Sequence, residues 1–138
     1  ASVIFDGEVS AGVRTYVAVD GGMADQLDIA LTDQRYEAVL ANRLNEPWSE
    51  TVQLVGRQCE SGDLLVDGAP MPPAAPGDLV VMATTGAYSY TMSNNYDGAL
   101  KPAVVFVADG EARLVARRER YEDLLDLHSP ALTAPLSR

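Results

Sequence analysis

A thiol and a carboxylate stand side by side in Gln58-Cys59-Glu60-Ser61-Gly62-Asp63. The segment follows a run of strand-forming residues and leads into a turn at Gly62, so both groups could reach one polar pocket together. A lone cysteine is ordinarily a small buried hydrophobe. Glu60 beside it shifts the balance, because a carboxylate at a strand end rarely serves a core. Residue types alone leave chemistry and packing equally open here.

A second polar stretch runs from Thr85 to Tyr96 and carries Tyr88, Tyr90 and Tyr96, several hydroxyls and the amides of Asn94 and Asn95. Tyrosine joins apolar bulk to a directed hydroxyl, which suits gripping a flat or phosphorylated ligand. The plainer reading is a loop whose aromatics plug one end of the fold. That reading covers Tyr90 and Tyr96 better than Tyr88, which lies close to Gly86, where the backbone can approach a ligand. The third segment is Val19-Asp20-Gly21-Gly22-Met23-Ala24-Asp25. Its double glycine signals a tight turn between strand and helix, and no phosphate-cradling glycine pattern is present.

Several chemistries are disfavoured. There is no Gly-x-Ser-x-Gly element, and one histidine with one cysteine makes a hydrolytic triad improbable. No cluster has zinc or calcium spacing, so no metal is expected. His128 reads as a surface or cap residue. The single lysine, Lys101, precedes a strand and reads as a solvated strand-edge residue.

The elements that must position these groups are short. β-Branched and aromatic runs bounded by Gly, Asp, Asn and Pro predict strands at 2–5, 14–19, 36–41, 51–55, 64–66, 79–83, 103–108 and 112–117. Asp109-Gly110 is a hairpin turn, Asp67-Gly68 is expected to end a strand, and 70–76 reads as a stiff polyproline-like loop. Helical spacing predicts short helices at 24–32 and 120–127, with a frayed tail after Pro130. The fold class is therefore mostly β, one domain over 1–138, its strands closed or nearly closed into a barrel with one or two short helices.

Bulk properties agree with one compact domain: 138 residues, 47% hydrophobic and 22% charged. A net charge of −10 argues against nucleic acid, whose phosphates need clustered Lys and Arg. The basic run 113–120 is broken by Glu119 and reads as a solvated strand end entering a charged helix. No apolar stretch is long enough to span a membrane, no secretory signal opens the sequence, and one cysteine fits a reducing cytoplasm.

Taken in order, Val13 to Met23, Cys59-Glu60-Ser61-Gly62-Asp63, Gly86-Ala87-Tyr88 to Tyr96, Lys101-Pro102-Ala103 and Arg117 to Leu124 resemble the diaminopimelate decarboxylases, pyridoxal-phosphate enzymes related to alanine racemase. The resemblance covers most of the chain from about residue 13 to 127. It implies a β-barrel domain of the alanine-racemase C-terminal type, following a (β/α)₈ domain that holds the cofactor on a lysine to which Lys101 does not correspond. That domain needs roughly 200 or more residues, so the chain is expected to be one part of a larger cytoplasmic enzyme and silent alone.

The resemblance further implies a homodimer with shared active sites and a small amino-acid substrate. Cys59 would be catalytic, a proton donor near the reacting carbon, and Glu60 would bind the substrate's distal ammonium. Tyr88 would contact cofactor and substrate. One departure stands out. Where the family carries an Arg and a Tyr that clamp the retained carboxylate, this chain has Asp28 and Thr32. Arg35 or a group of the other domain would then replace the clamp, or Asp28 would meet a second amine. Two alternatives to a diaminopimelate decarboxylase follow: a related decarboxylase with a different amino-acid substrate, and a non-catalytic interaction module. The intact Cys59-Glu60 and Tyr88 weigh against the module.

Overall fold

The computed structural model describes residues 3–8 and 14–128, with the side chains of residues 4–8 outside that description. The tail expected to fray after Pro130 lies outside the described residues. The chain forms two compact units, 1–99 and 100–138. All three polar segments belong to the first.

The first unit is built on six strands: β1 (Val3–Glu8), β2 (Thr15–Val19), β3 (Ala38–Leu40), β4 (Glu50–Val55), β5 (Leu64–Met71) and β6 (Val80–Met82). One sheet has the order β1-β2-β4-β5, and β3 pairs with β6 in a second. β2 runs parallel to β4, while the β1–β2, β4–β5 and β3–β6 pairs are antiparallel. Alternation decides the inward face. In β2, Val17 and Val19 are buried, and they meet Val52 and Leu54 of β4, Leu65, Ala69 and Met71 of β5, and Ala38, Leu40 and Val80 of the smaller sheet. Each fully buried Val or Leu contributes about 1.5–3 kcal/mol relative to exposure. This one cluster therefore holds both sheets of the unit together.

One local expectation changes. Asp67-Gly68 does not end a strand: β5 continues to Met71, with Pro70 opposite Thr51. The register passes from Val52↔Ala69 to Gln53↔Asp67, leaving Gly68 as the extra residue of a bulge at φ 77°. Glycine takes that conformation without a Cβ penalty, so the strand bends instead of stopping. The expected mostly-β class holds, with no closed barrel seen among the described strands. They pair as three separate sheets, and β5 has no partner on its outer edge. A groove of about 780 Å³ lies along that edge, lined by residues 64–70 on one side and 33–39 on the other, with Trp48 and Ser61 among its walls.

Helix formation is more limited than the spacing suggested. Only α1 (Asp28–Thr32) forms within 24–32, because the preceding residues are taken up by the turn after Gly22. A short helix not expected from the sequence, α2 (Ser89–Met92), lies in the tyrosine-rich stretch.

Asp78 joins the turns flanking the smaller sheet. It accepts hydrogen bonds from Asn42 Nδ2 (2.8 Å), Arg43 Nη1 (3.0 Å) and the Ala75 N–H (2.9 Å). The Asn42 bond, followed by the Ala75 and Arg43 bonds, holds its carboxyl below the usual carboxylate range despite burial. A depressed folded value means that its stabilisation is present above the unfolded value of about 4 and lost as pH falls through the folded one. Asp78→Asn should therefore weaken β3–β6 at pH 7 by about 1–3 kcal/mol, given the cost of losing hydrogen bonds to a charge. The variant should also respond less than the wild type to acidification. Amide exchange across β3 and β6 at pH 7 and pH 3 checks both.

The second unit contains the hairpin β7 (Val104–Ala108) and β8 (Glu111–Ala116), followed by α3 (Tyr121–Leu125). Asp109 and Gly110 both take positive φ, 52° and 77°, as a two-residue turn of the mirror type requires. Asp123 opens α3 by accepting the Arg120 N–H (2.7 Å) and pairs bidentately with Arg117 at 2.5 and 2.7 Å. Among the described residues, no helix is long and apolar enough to cross a membrane.

Candidate active site

The three polar segments meet at the turn after β2. Asp25 and Gln26 N–H groups bond back to the Gly22 carbonyl, and Gly22 N–H donates to Asp25 Oδ2 at 3.1 Å. From the segment leaving β4, Arg57 N–H donates to the Gly21 carbonyl (3.1 Å), and Asp63 Oδ1 accepts the Met23 N–H (2.7 Å). From the tyrosine-rich stretch, Asn94 N–H donates to the Ala24 carbonyl (3.0 Å). The turn spanning Gly21 to Ala24 is thus the hub to which both other segments are tied.

Cys59 and Glu60 are both exposed beside this hub. Cys59 Sγ lies 3.8 Å from Asp97 Oδ2, a long contact for a weak S–H donor. Glu60 Oε1 accepts only distant bonds, from Ser61 Oγ (3.3 Å) and Gly62 N–H (3.4 Å), so its carboxylate stays available. Asp97 sits at φ 56° in a single 3₁₀ turn over Tyr96–Gly98. Its charge, then burial, then the charges of Glu60 and Cys59 push the Tyr96 phenol above its ordinary range. Sequence reasoning misses Asp97 altogether and gives Tyr96 the plainer, plugging role more readily than Tyr88. An Asp-Gly pair following Asn-Asn-Tyr was the available turn signal.

Tyr88 precedes α2 and is 63% exposed. Among the described residues no hydrogen bond joins it to Cys59 or Glu60, and the groups around it are different. The neighbouring Ser89 hydroxyl reaches Gln26 Oε1, Gln26 Nε2 donates to Asp28 Oδ1 (2.5 Å), and Tyr36 OH donates to Asp28 Oδ2. That last bond, with burial and the Asp28 charge behind it, raises the Tyr36 phenol, and Tyr88 adds a smaller push.

Asp28 is 5% exposed and both its oxygens already hold donors. It is therefore not free to meet a substrate amine. Thr32 Oγ1 donates to the Asp28 carbonyl (2.7 Å), so it too is used within α1. Arg35 is exposed and lines the groove beside Tyr36.

Residues 1–86 match the family described as pyridoxal-dependent decarboxylase, C-terminal sheet domain. The chain belongs to this family. It is 51% identical over 122 residues to diaminopimelate decarboxylase of Bacillus subtilis strain 168, covering 88% of this chain and 28% of that one. It is 50% identical over 118 residues to the diaminopimelate decarboxylase of Halalkalibacterium halodurans, covering 86% and 27%. The crystal structure of Helicobacter pylori diaminopimelate decarboxylase complexed with L-lysine aligns at TM-score 0.79 and 27% identity, over 91% of this chain and 30% of that one. The chain therefore spans a little over a quarter of these curated relatives, and corresponds to their C-terminal domain.

A pyridoxal cofactor is characteristically held as a Schiff base by a lysine. Here the single lysine, Lys101, lies in the second unit just before β7, outside the unit that carries the site. The first unit, which has no lysine, does not fit the covalent anchorage of such a cofactor.

Proposed function

We propose that this chain completes the active site of a diaminopimelate decarboxylase, which converts meso-diaminopimelate to L-lysine and carbon dioxide. The observation that carries this reading is the exposed, adjacent Cys59 and Glu60 on a loop tied to the Gly21–Gly22–Met23 backbone, in a chain 51% identical to a relative of that activity. Pyridoxal phosphate supplies the electron sink for the bonding electrons left when carbon dioxide departs.

This chain's residues do the rest. Glu60 accepts the distal ammonium of the substrate and so sets its reach. Cys59 holds a proton on Sγ and delivers it to the reacting carbon. Tyr88 contacts the cofactor and the bound substrate. Within one chain, Cys59 and Glu60 cluster with Asp97, while Tyr88 neighbours Tyr36 and Ser89. The different partners of the two groups are compatible with a homodimer in which each site takes its thiol and acid from one subunit and its phenol from the other.

In the complete, cytoplasmic enzyme, a (β/α)₈ domain anchors the cofactor. Both units of this chain act there as one C-terminal domain, whose strands close into a β-barrel of the alanine-racemase type. Eight strands and the open outer edge of β5 support that closure. The test is turnover: the complete protein with pyridoxal phosphate should release carbon dioxide and L-lysine from meso-diaminopimelate. Absence of both products overturns the assignment.

A second reading has a specific observation behind it. Asp28 and Thr32, the positions that the family resemblance assigns to the clamp on the retained carboxylate, are both engaged internally. An ionised Asp28 repels a carboxylate, so unless Arg35 or the other domain supplies the clamp the enzyme would act on an amino acid lacking that second carboxylate. A substrate panel separates the two: lysine or ornithine consumed in preference to diaminopimelate favours this second reading.

A further inference from the structure

Cys59 and Glu60 make few contacts of their own, yet their positions decide what they reach. Among the described residues, their side chains have only the 3.8 Å approach of Sγ to Asp97 and bonds of 3.3 and 3.4 Å to Ser61 and Gly62. Something else must hold the loop. Asp63, just beyond it, is 4% exposed and bonded on every side. Its Oδ1 accepts the Met23 N–H at 2.7 Å and its Oδ2 accepts the Gln58 N–H at 2.8 Å. Its own N–H donates to the Glu60 carbonyl at 3.0 Å, and its carbonyl accepts the Gly56 N–H at 2.9 Å. One residue thus closes the loop at both ends and ties it to the turn after β2.

Two glycines are shaped around this carboxylate. A Cβ on Gly56 would overlap both carboxylate oxygens, and a Cβ on Gly22 would stand 2.8 Å from Oδ2 while overlapping the Gln58 side-chain amide. Neither glycine has a positive φ, so close approach, not backbone conformation, excludes a side chain there. The Gln58 amide can move, being the far end of a flexible chain. The Asp63 carboxylate cannot move without breaking the hydrogen bonds it accepts from the Met23 and Gln58 N–H groups.

We infer that Asp63, seated against Gly22 and Gly56, is the positioning residue that sets where Cys59 and Glu60 stand in the active site. The inference rests on the function proposed above. It goes beyond it by assigning an activity-determining role to a buried group whose carboxylate oxygens accept backbone N–H groups of this chain. Burial raises the carboxyl, while the bonds from Gln58 and Met23 pull it back toward the charged form. Charge and shape are both needed: an amide would point an N–H at a backbone N–H that now donates.

Asp63→Asn in the complete enzyme should lower kcat by roughly 10–100-fold, the order of cost for a reacting group misplaced by about 1 Å. KM should rise as well, because Glu60 rides on the same loop. Gly56→Ala should reproduce both effects, and the double variant should be no worse than the more severe single one, since the two changes disturb one contact. Iodoacetamide labelling, read on the Cys59 peptide by mass spectrometry, should proceed at an altered rate in each variant.

Val52→Ala is the control. It removes volume from the buried core and should lower the melting temperature, yet leave kcat per folded enzyme and Cys59 labelling unchanged. Gly22→Ala is the milder substitution if Asp63→Asn does not fold. Wild-type kcat and wild-type labelling in the Asp63, Gly56 or Gly22 variants overturn the inference. So does a defect shared equally by Val52→Ala. An enzyme that decarboxylates no amino acid overturns the proposed function instead, while labelling still reports on Asp63.

Discussion

Replacing Cys59 with alanine in the complete enzyme is expected to lower kcat by roughly 10²–10⁴-fold, the usual worth of a positioned proton donor. The thiol is exposed, and its one recorded polar contact within this chain is a long one to Asp97, so its removal leaves no buried partner unsatisfied. Stability and cofactor occupancy should therefore remain near wild type. A mutation that removes an interaction made only in the transition state lowers kcat and kcat/KM together. Steady-state kinetics, normalised to bound cofactor by absorbance, checks the prediction. A fall of only a few-fold would mean that another group protonates the reacting carbon. Loss of cofactor would mean that Cys59 has been given the wrong role.

The second large effect is expected at Glu60. Its carboxylate spends little on the protein itself, accepting only two distant bonds from the residues that follow it. A hydrogen bond to a charged group is worth about 1.5–3 kcal/mol, so Glu60→Gln should lower kcat/KM by about 10–150-fold. Most of the loss should fall on KM, because the distal ammonium is held in ground and transition states alike. An amino acid of similar length without the distal ammonium provides the internal control, and should be turned over equally poorly by both proteins. If it too is lost on substitution, Glu60 supports the loop and does not bind the substrate.

Much of this site is legible in the residues. Residue types leave Cys59-Glu60 evenly divided between chemistry and packing, the family motif singles the pair out, and both side chains are exposed. Asp109-Gly110 forms its hairpin turn because both positions tolerate positive φ. All eight expected strands form, although Asp67-Gly68 marks a bulge within β5 and not its end. Whether a glycine ends a strand or bends it depends on the partner across the ladder, here Val52 and Gln53 of β4, which local composition does not contain. Helix α2 escaped for a related reason. Its polar residues bond to carbonyls of their own stretch, as Thr91 Oγ1 does to Tyr88, and local sequence reads that as a loop.

Local chemistry is what the amino-acid order determined alone: strand segments, turn types, the exposed thiol and acid, and the family motifs. Partnership was decided by the tertiary structure. Asp63 looks like a turn residue until Met23, forty positions earlier, is seen donating to it. Asp28 could be read as a free acid until Tyr36 and Gln26 are found occupying both its oxygens. Asp97 gains meaning only where folding sets it beside Cys59. The physical reason is common to all three. A carboxylate's role follows from which donors reach it and how much water remains, and contacts between residues far apart in the chain set both.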